Sequence, residues 1–220
     1  MLNKTVNNPE DHETFGIKLI AEENLKIFFF PNTFNKILIS KTEQEYSNAL
    51  SEIRKNSYIY SRTCIRTALS QVFSLKPIDI PLDAPPSKPP LLPKDYGFVS
   101  LSHCIDATIV GWSRNNIGVD IERRDRKTKL NLISNKIFTS KEIKFFSEIN
   151  NYKEKSIKFL EYWVIKESLI KRERDSLFKS INKWNWDYNS KAAFNISKRK
   201  FVKVKKILFK DWIIGLAYNL

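Results

Sequence analysis

Seven of the chain's nine prolines fall between Pro77 and Pro93, in the run PIDIPLDAPPSKPPLLP. Each proline fixes φ and lacks a backbone N–H, so this run can be neither a helix nor a central strand. It reads as a stiff loop. It is the clearest break in the 220-residue chain, and the segments on either side must find their own strands and helices. Such a loop is either a spacer or a rigid wall beside a ligand.

On the N-terminal side, residues 14–40 read as short strands rich in Ile and Phe, with LKIFFF a buried strand ended by Pro31. Helical periodicity runs over 42–75, where Thr42 followed by Glu45 has the spacing of a capping box. Arg54, Arg62 and Arg66 fall at helical offsets, and Arg62 and Arg66, four apart, share a face. On the C-terminal side, FVSLSHC, DATIVGWS and IGVDIE are three short strand-like runs, expected to form an antiparallel meander. The stretch RRDRKTKLNLISNKIF starts polar and turns helical. A second capping box, Thr139 with Glu142, opens the next helix, and a longer helix runs through KEKSIKFLEYWVIKESLIKRER. AAFNIS, KFVKVKKILF and DWIIGLAY alternate as three strands.

YIYSRTCIRTAL and EYWVIKESLIKR form a faint internal repeat, each placing aromatics one turn ahead of polar residues. The fold expected is α+β, with two similar halves in one chain (residues 1–112 and 113–220) related by a pseudo-twofold. Each half would pack a small antiparallel sheet on a long helix, with the active site in the cleft between them.

Composition narrows the partners. With 42% hydrophobic and 13% aromatic residues the chain can build a core and is not disordered. A net charge of +14 favours an anionic partner. Cys64 and Cys104 stand far apart, with no CxxC, as suits a reducing compartment. The polar start MLNKTVNNPEDHETF lacks a signal-peptide core, and no apolar run reaches the roughly 18–20 residues of a membrane helix. A cytoplasmic protein away from the membrane is expected.

The chemistry concentrates in three places. In an extended IGVDIE, Asp120 and Glu122 share one face while Val119 and Ile121 take the other. The plain reading is a solvated edge strand neutralised by Arg123 and Arg124. The chemical reading is a cation site, since Mg²⁺ takes oxygen ligands, commonly a few carboxylates plus water and phosphate. Glu167 and Lys171 lie at i and i+4, either a surface ion pair worth about 0.2–0.5 kcal/mol or a third metal carboxylate beside a phosphate-binding ammonium. Ser102 and His103 are adjacent, so on a strand they point apart and cannot act together as nucleophile and base. With no GxSxG elbow, a serine hydrolase is excluded, leaving a structural histidine or one that reaches a phosphate.

The ordered set SKP, SLSH, IGVDIE, FTSKE and WVIKESLIK, over residues 54–171, resembles the 4′-phosphopantetheinyl transferase superfamily. In particular it resembles the long pseudo-dimeric type named after the surfactin-synthetase activator. The resemblance implies transfer of the phosphopantetheine arm of coenzyme A to a serine of an apo acyl or peptidyl carrier protein, releasing adenosine 3′,5′-bisphosphate. It implies Mg²⁺, with Mn²⁺ as an alternative, on Asp120, Glu122 and Glu167. Glu167 would be the general base, and Lys171 would hold the pyrophosphate. Ser102 and His103 would contact coenzyme A phosphates, His103 the 3′-phosphate. Lys88 and Pro89 would lie against the nucleotide, and Arg54 and Arg62 would reach a phosphate. Ser87 stands where the family usually has glycine, which questions the loop's backbone shape. A monomer acting on an acidic carrier protein, and not on nucleic acid or membrane, is expected, with Arg123, Arg124, Arg126, Lys127 and Lys129 as part of the dock or simply a solvated loop. Of Ile143, Phe145 and Phe146, some could be exposed to that partner, although core packing suits them better.

Two other classes compete. A Mg²⁺-dependent nucleotide phosphohydrolase would share the carboxylates but use water as nucleophile. A nucleic-acid-binding module would use the aromatic-basic tail KRKFVKVKKILFKDW, although no RRM, KH or zinc motif is present.

Overall fold

The computed structural model describes residues 16–127, 136–176, 180–188 and 190–219. The polar N-terminal start, Lys129 and most of the stretch expected to turn helical after Lys127 lie outside the described residues. The chain is α+β. The first antiparallel sheet contains β1 (Ile17–Glu22), β2 (Leu25–Pro31), β3 (Phe98–His103) and β4 (Ala107–Ser113), in the order β1-β2-β4-β3. Its helices are α1 (Lys41–Asn48) and α2 (Glu52–Phe73). The second sheet contains β5 (Ile117–Arg123), β6 (Trp184–Trp186), β7 (Ala192–Asn195), β8 (Lys200–Phe209) and β9 (Trp212–Tyr218), in the order β5-β9-β8-β7-β6. Its helices are α3 (Ser140–Ser147) and α4 (Tyr152–Glu173).

These pieces stack in four layers. Strand β2 shows why. Phe28 and Phe30 enter a core with Ile65 and Leu69 of α2, while Ile27 and Phe29 on the opposite face join Val119, Ile214 and Leu216 of the second sheet. A strand covered on both faces has no polar face to show, so LKIFFF is continuously apolar. The far side of the second sheet packs on α4 through Leu160, Val164, Trp184, Val202 and Ile213.

Three expectations change. The meander stops after two strands. Both edges of β4 are already taken by β2 and β3, so β5 pairs with β9 instead and begins the second sheet. The first capping box is Ser40 with Glu43, not Thr42 with Glu45. Glu43 prevails because it also reaches Arg66, whose Nε lies 2.7 Å from its carboxylate in a buried pair. The short strand β6 was not expected from the sequence. The second box forms as expected between Thr139 and Glu142.

The proline run makes a 3-10 turn at Pro77–Asp79 and a single bridge between Asp83 and Leu91. It is held from one face of α2. Arg66 donates to the carbonyls of Pro77, Ile78 and Ile80, and Arg62 to those of Ala84 and Pro85. Five carbonyls of a run that cannot make a regular backbone ladder are thus satisfied by arginine side chains.

Candidate active site

Glycine sets the site's depth. Gly118 and Gly215 lie where α4 crosses β5 and β9. A Cβ at Gly118 would sit 1.8 Å from the Ser168 carbonyl oxygen, and one at Gly215 would sit 2.1 Å from that of Val164. Without side chains there, α4 settles directly on the sheet. Gly118, Asp120 and Glu122 share one strand face by alternation. The close approach therefore brings Glu167 and Lys171 over the two acids.

Lys171 Nζ lies 2.7 Å from Asp120 Oδ1 and 2.8 Å from Ser102 Oγ, and Ser102 Oγ donates to the same Asp120 oxygen at 2.7 Å. This triangle joins β3 of the first sheet to β5 and α4 of the second. Asp120 Oδ2 is buried without a hydrogen-bond partner. Arg126 caps Glu122. Burial, and next the charge of Asp120, push the Glu167 carboxyl up to about 7, against the opposing pull of Lys171 and Arg126. Partial desolvation, followed by the nearby Lys171 ammonium, lowers the His103 imidazole, which leaves it neutral at pH 7.

All ten expected site residues line one cleft of about 900 Å³. One wall is α2 with the proline loop, bearing Arg54, Arg62, Lys88 and Pro89. The other carries Asp120, Glu122, Glu167 and Lys171, with Ser102 and His103 between. Arg54 is exposed and donates to Ser87 Oγ at 3.2 Å. Ser87 has φ +63°, the left-handed conformation that a glycine would adopt freely, so the substitution keeps the loop's shape at some cost in strain. Arg62 is different. It is 5% exposed, stacks on Tyr58 at 4.4 Å, and spends its donors on Ala84 O, Pro85 O and Ser61 Oγ. Its guanidinium holds the wall in place and is not aimed into the cleft as a free cation.

Arg174, Tyr58 and Trp163, which were not among the expected site residues, also line the cleft. Arg174 follows Lys171 by three residues, a helical offset that could have flagged it. Lys166, inside the WVIKESLIK motif, faces away. It is fully buried, pairs with Glu142 at 2.7 Å and donates to the carbonyls of Ile137, Ile181 and Trp184. Ile143 is exposed, while Phe146 and Phe145 join the core around α4.

Among the described residues, no three His, Cys, Asp or Glu side chains are drawn together as a metal cage. Asp120 is turned to Lys171 and Glu122 to Arg126. The donor set still suits a hard cation: it is all carboxylate, it includes an orphaned buried oxygen on Asp120, and burial, followed by the Asp120 charge, raises Glu167. Among the described residues no helix is long and apolar enough to cross a membrane.

No curated protein matches the chain. A family model does: residues 116–217, from the start of β5 to the end of β9, match that of the 4′-phosphopantetheinyl transferase superfamily. That span contains Asp120, Glu122, Glu167 and Lys171. Over that C-terminal span, just under half of its length, the chain is similar to the 4′-phosphopantetheinyl transferase superfamily.

Proposed function

We propose that the protein transfers the phosphopantetheine arm of coenzyme A to a serine of an apo acyl or peptidyl carrier protein and releases adenosine 3′,5′-bisphosphate. What carries this reading is the convergence of the acids, Lys171, Ser102, His103 and the basic proline-loop wall on one cleft large enough for a nucleotide. When bound, a magnesium ion held by Asp120, Glu122 and Glu167 supplies charge neutralisation at the pyrophosphate. Glu167 accepts the proton of the carrier serine as its oxygen bonds to phosphorus and the bond to the nucleotide phosphate breaks. Lys171 takes up charge on the departing phosphate. Arg54 and Lys88 hold the nucleotide at the other wall, and Arg62 acts by fixing that wall. His103, kept neutral, serves as a hydrogen-bonding group.

The halves 1–112 and 113–220 are related as a pseudo-twofold pair in this proposal. Supporting it, each long helix has 22 residues and ends in a left-handed residue, Ser74 or Arg174. Each follows a short helix opened by a capping box. Each carries a buried cation fourteen positions after its first residue, Arg66 or Lys166, paired with the capping glutamate Glu43 or Glu142. Both walls come from one chain, so the protein acts as a monomer, in the reducing cytoplasm that its free cysteines suit. The +14 charge steers an acidic carrier, with Arg123, Arg124, Arg126 and Lys127 at the dock.

Intact-protein mass spectrometry of an apo carrier with coenzyme A and Mg²⁺ tests the reading. A phosphopantetheine-sized gain, lost with EDTA and in Glu167→Ala, is expected. Carriers left unmodified while coenzyme A is hydrolysed would instead establish a phosphohydrolase.

A further inference from the structure

Strand β8 carries the aromatic-basic run that the cleft leaves unused. By alternation, Val202 and Val204 turn inward to α4, and Phe201, Lys203 and Lys205 turn to the opposite face. That face of the second sheet packs on the first sheet at Ile207, Phe209 and Tyr218. There the cover stops. Phe201, Lys203 and Lys205 are exposed, Phe201 by 71%. Phe194 of β7 lies directly opposite Phe201, with ring centroids 4.8 Å apart. Ala192, opposite Lys203, adds little bulk beside them. A single exposed apolar side chain is ordinary, whereas a contiguous exposed pair of rings calls for a partner.

The charges on this face are unspent. Lys198 and Lys200 are held by Glu173, and Lys206 by Glu161. Lys203 and Lys205 have neither ion pair nor hydrogen bond among the described residues. Burial, then the charge of Glu22, raises the Tyr218 hydroxyl, so one acid stands at the border of the patch. Two strands by five residues make on the order of 150 Å² of sheet. That is well short of the roughly 800 Å² that a stable protein partner covers. Rings on a sheet with neighbouring cations suit a nucleic-acid single strand, whose unpaired bases stack on the rings while its phosphates take the cations. We propose that the β7–β8 face binds single-stranded nucleic acid, with bases stacked on Phe194 and Phe201 and phosphates beside Lys203 and Lys205. None of these four residues lines the cleft, and the inference does not rest on the coenzyme A reading. It adds a nucleic-acid partner where the family resemblance led to none being expected.

Fluorescence anisotropy of the full chain tests this with labelled single strands of RNA and of DNA, about a dozen nucleotides long, and with the corresponding duplexes. The single strands are expected to bind more tightly than the duplexes, whose paired bases are closed to the rings. Charge alone would favour a duplex, the denser polyanion, so tighter duplex binding would overturn the proposal. Phe201→Ala, at an exposed position, should weaken the single strands by about fivefold to a hundredfold, the range of one stacked base. Replacing Lys203 and Lys205 together by Gln should make the slope of log affinity against log salt shallower by about 0.7 per lysine. Lys41→Gln, an exposed lysine of α1, should leave that slope unchanged. No loss of binding in Phe201→Ala shown folded by circular dichroism would overturn the proposal. So would an equal change of slope in the Lys41 control, or binding to neither single strand. A poly-glutamate peptide stands in for an acidic protein: if it binds through the same lysines and the single strands do not, the face is a protein dock and the proposal falls.

Discussion

Glu167 carries a carboxyl whose proton affinity is set by its neighbours. In the folded, metal-free protein it titrates near 7, above the ordinary 4.5 of an unfolded glutamate. Between those values the folded state holds more protons than the unfolded one, so stability falls as pH rises from about 4.5 to 7 and the loss is complete above that. The size is up to about 3 kcal/mol. Glu167→Gln in EDTA is thus expected to melt above the parent protein at pH 8 and level with it at pH 4.5. Mg²⁺ should raise the parent's melting temperature and leave the variant's unchanged. Arg62 makes the complementary case. Arg62→Ala removes charged bonds to two loop carbonyls and should cost about 2–3 kcal/mol. Kinetically it should raise KM for coenzyme A more than it lowers kcat, and Arg62→Lys should not restore the wall, because an ammonium lacks the planar fork. The acids at 120, 122 and 167 were legible because period 2 and period 3.6 place them from local sequence alone. Arg62's hold on the wall was not, because its carbonyl acceptors lie more than twenty residues away in a loop whose path no periodicity describes.

Elements divide in the same way. The box at Thr139 and Glu142 was readable because both members lie within four residues. At the first helix two overlapping boxes were available, and the choice fell to Ser40 and Glu43 through a buried arginine 23 residues on. Strand β5 was recognised as a strand but not assigned to its sheet, since its partner β9 lies nearly a hundred residues later. The contact between β5 and α4 is where element packing governs chemistry. Gly118→Ala places a methyl against the backbone of α4, with no flexible side chain to yield. It should destabilise by about 1–3 kcal/mol or more, and the residual folded protein should transfer far more slowly, because α4 is lifted off Asp120. Circular dichroism melts beside single-turnover rates separate the two effects. Loss of stability with an unchanged rate would show that the approach of α4 does not set the site.

At the scale of the whole molecule, the four layers place one helix at each outer face and the two sheets back to back. The cleft is the place where the outer helices and both sheets come within reach of one ligand. Arg54 and Lys88 answer to the first sheet's core, Glu167 and Lys171 to the second's, and the Ser102–Asp120–Lys171 triangle ties them together. On the proposed reading, a nucleotide seated there would add a cross-link between two cores that already meet at the apolar seam around Phe29 and Leu216 and at polar contacts such as Arg123 with Asp106. Mass action gives its strength: at a hundred times the dissociation constant it adds about 2.7 kcal/mol to whatever must open for release. Calorimetry with ligand should therefore show one sharper transition at higher temperature, and without ligand a broader one in which the two cores can part company. On that reading, depletion of the nucleotide would leave the seam easier to open and the protein easier to cleave, which limited proteolysis with and without ligand would show.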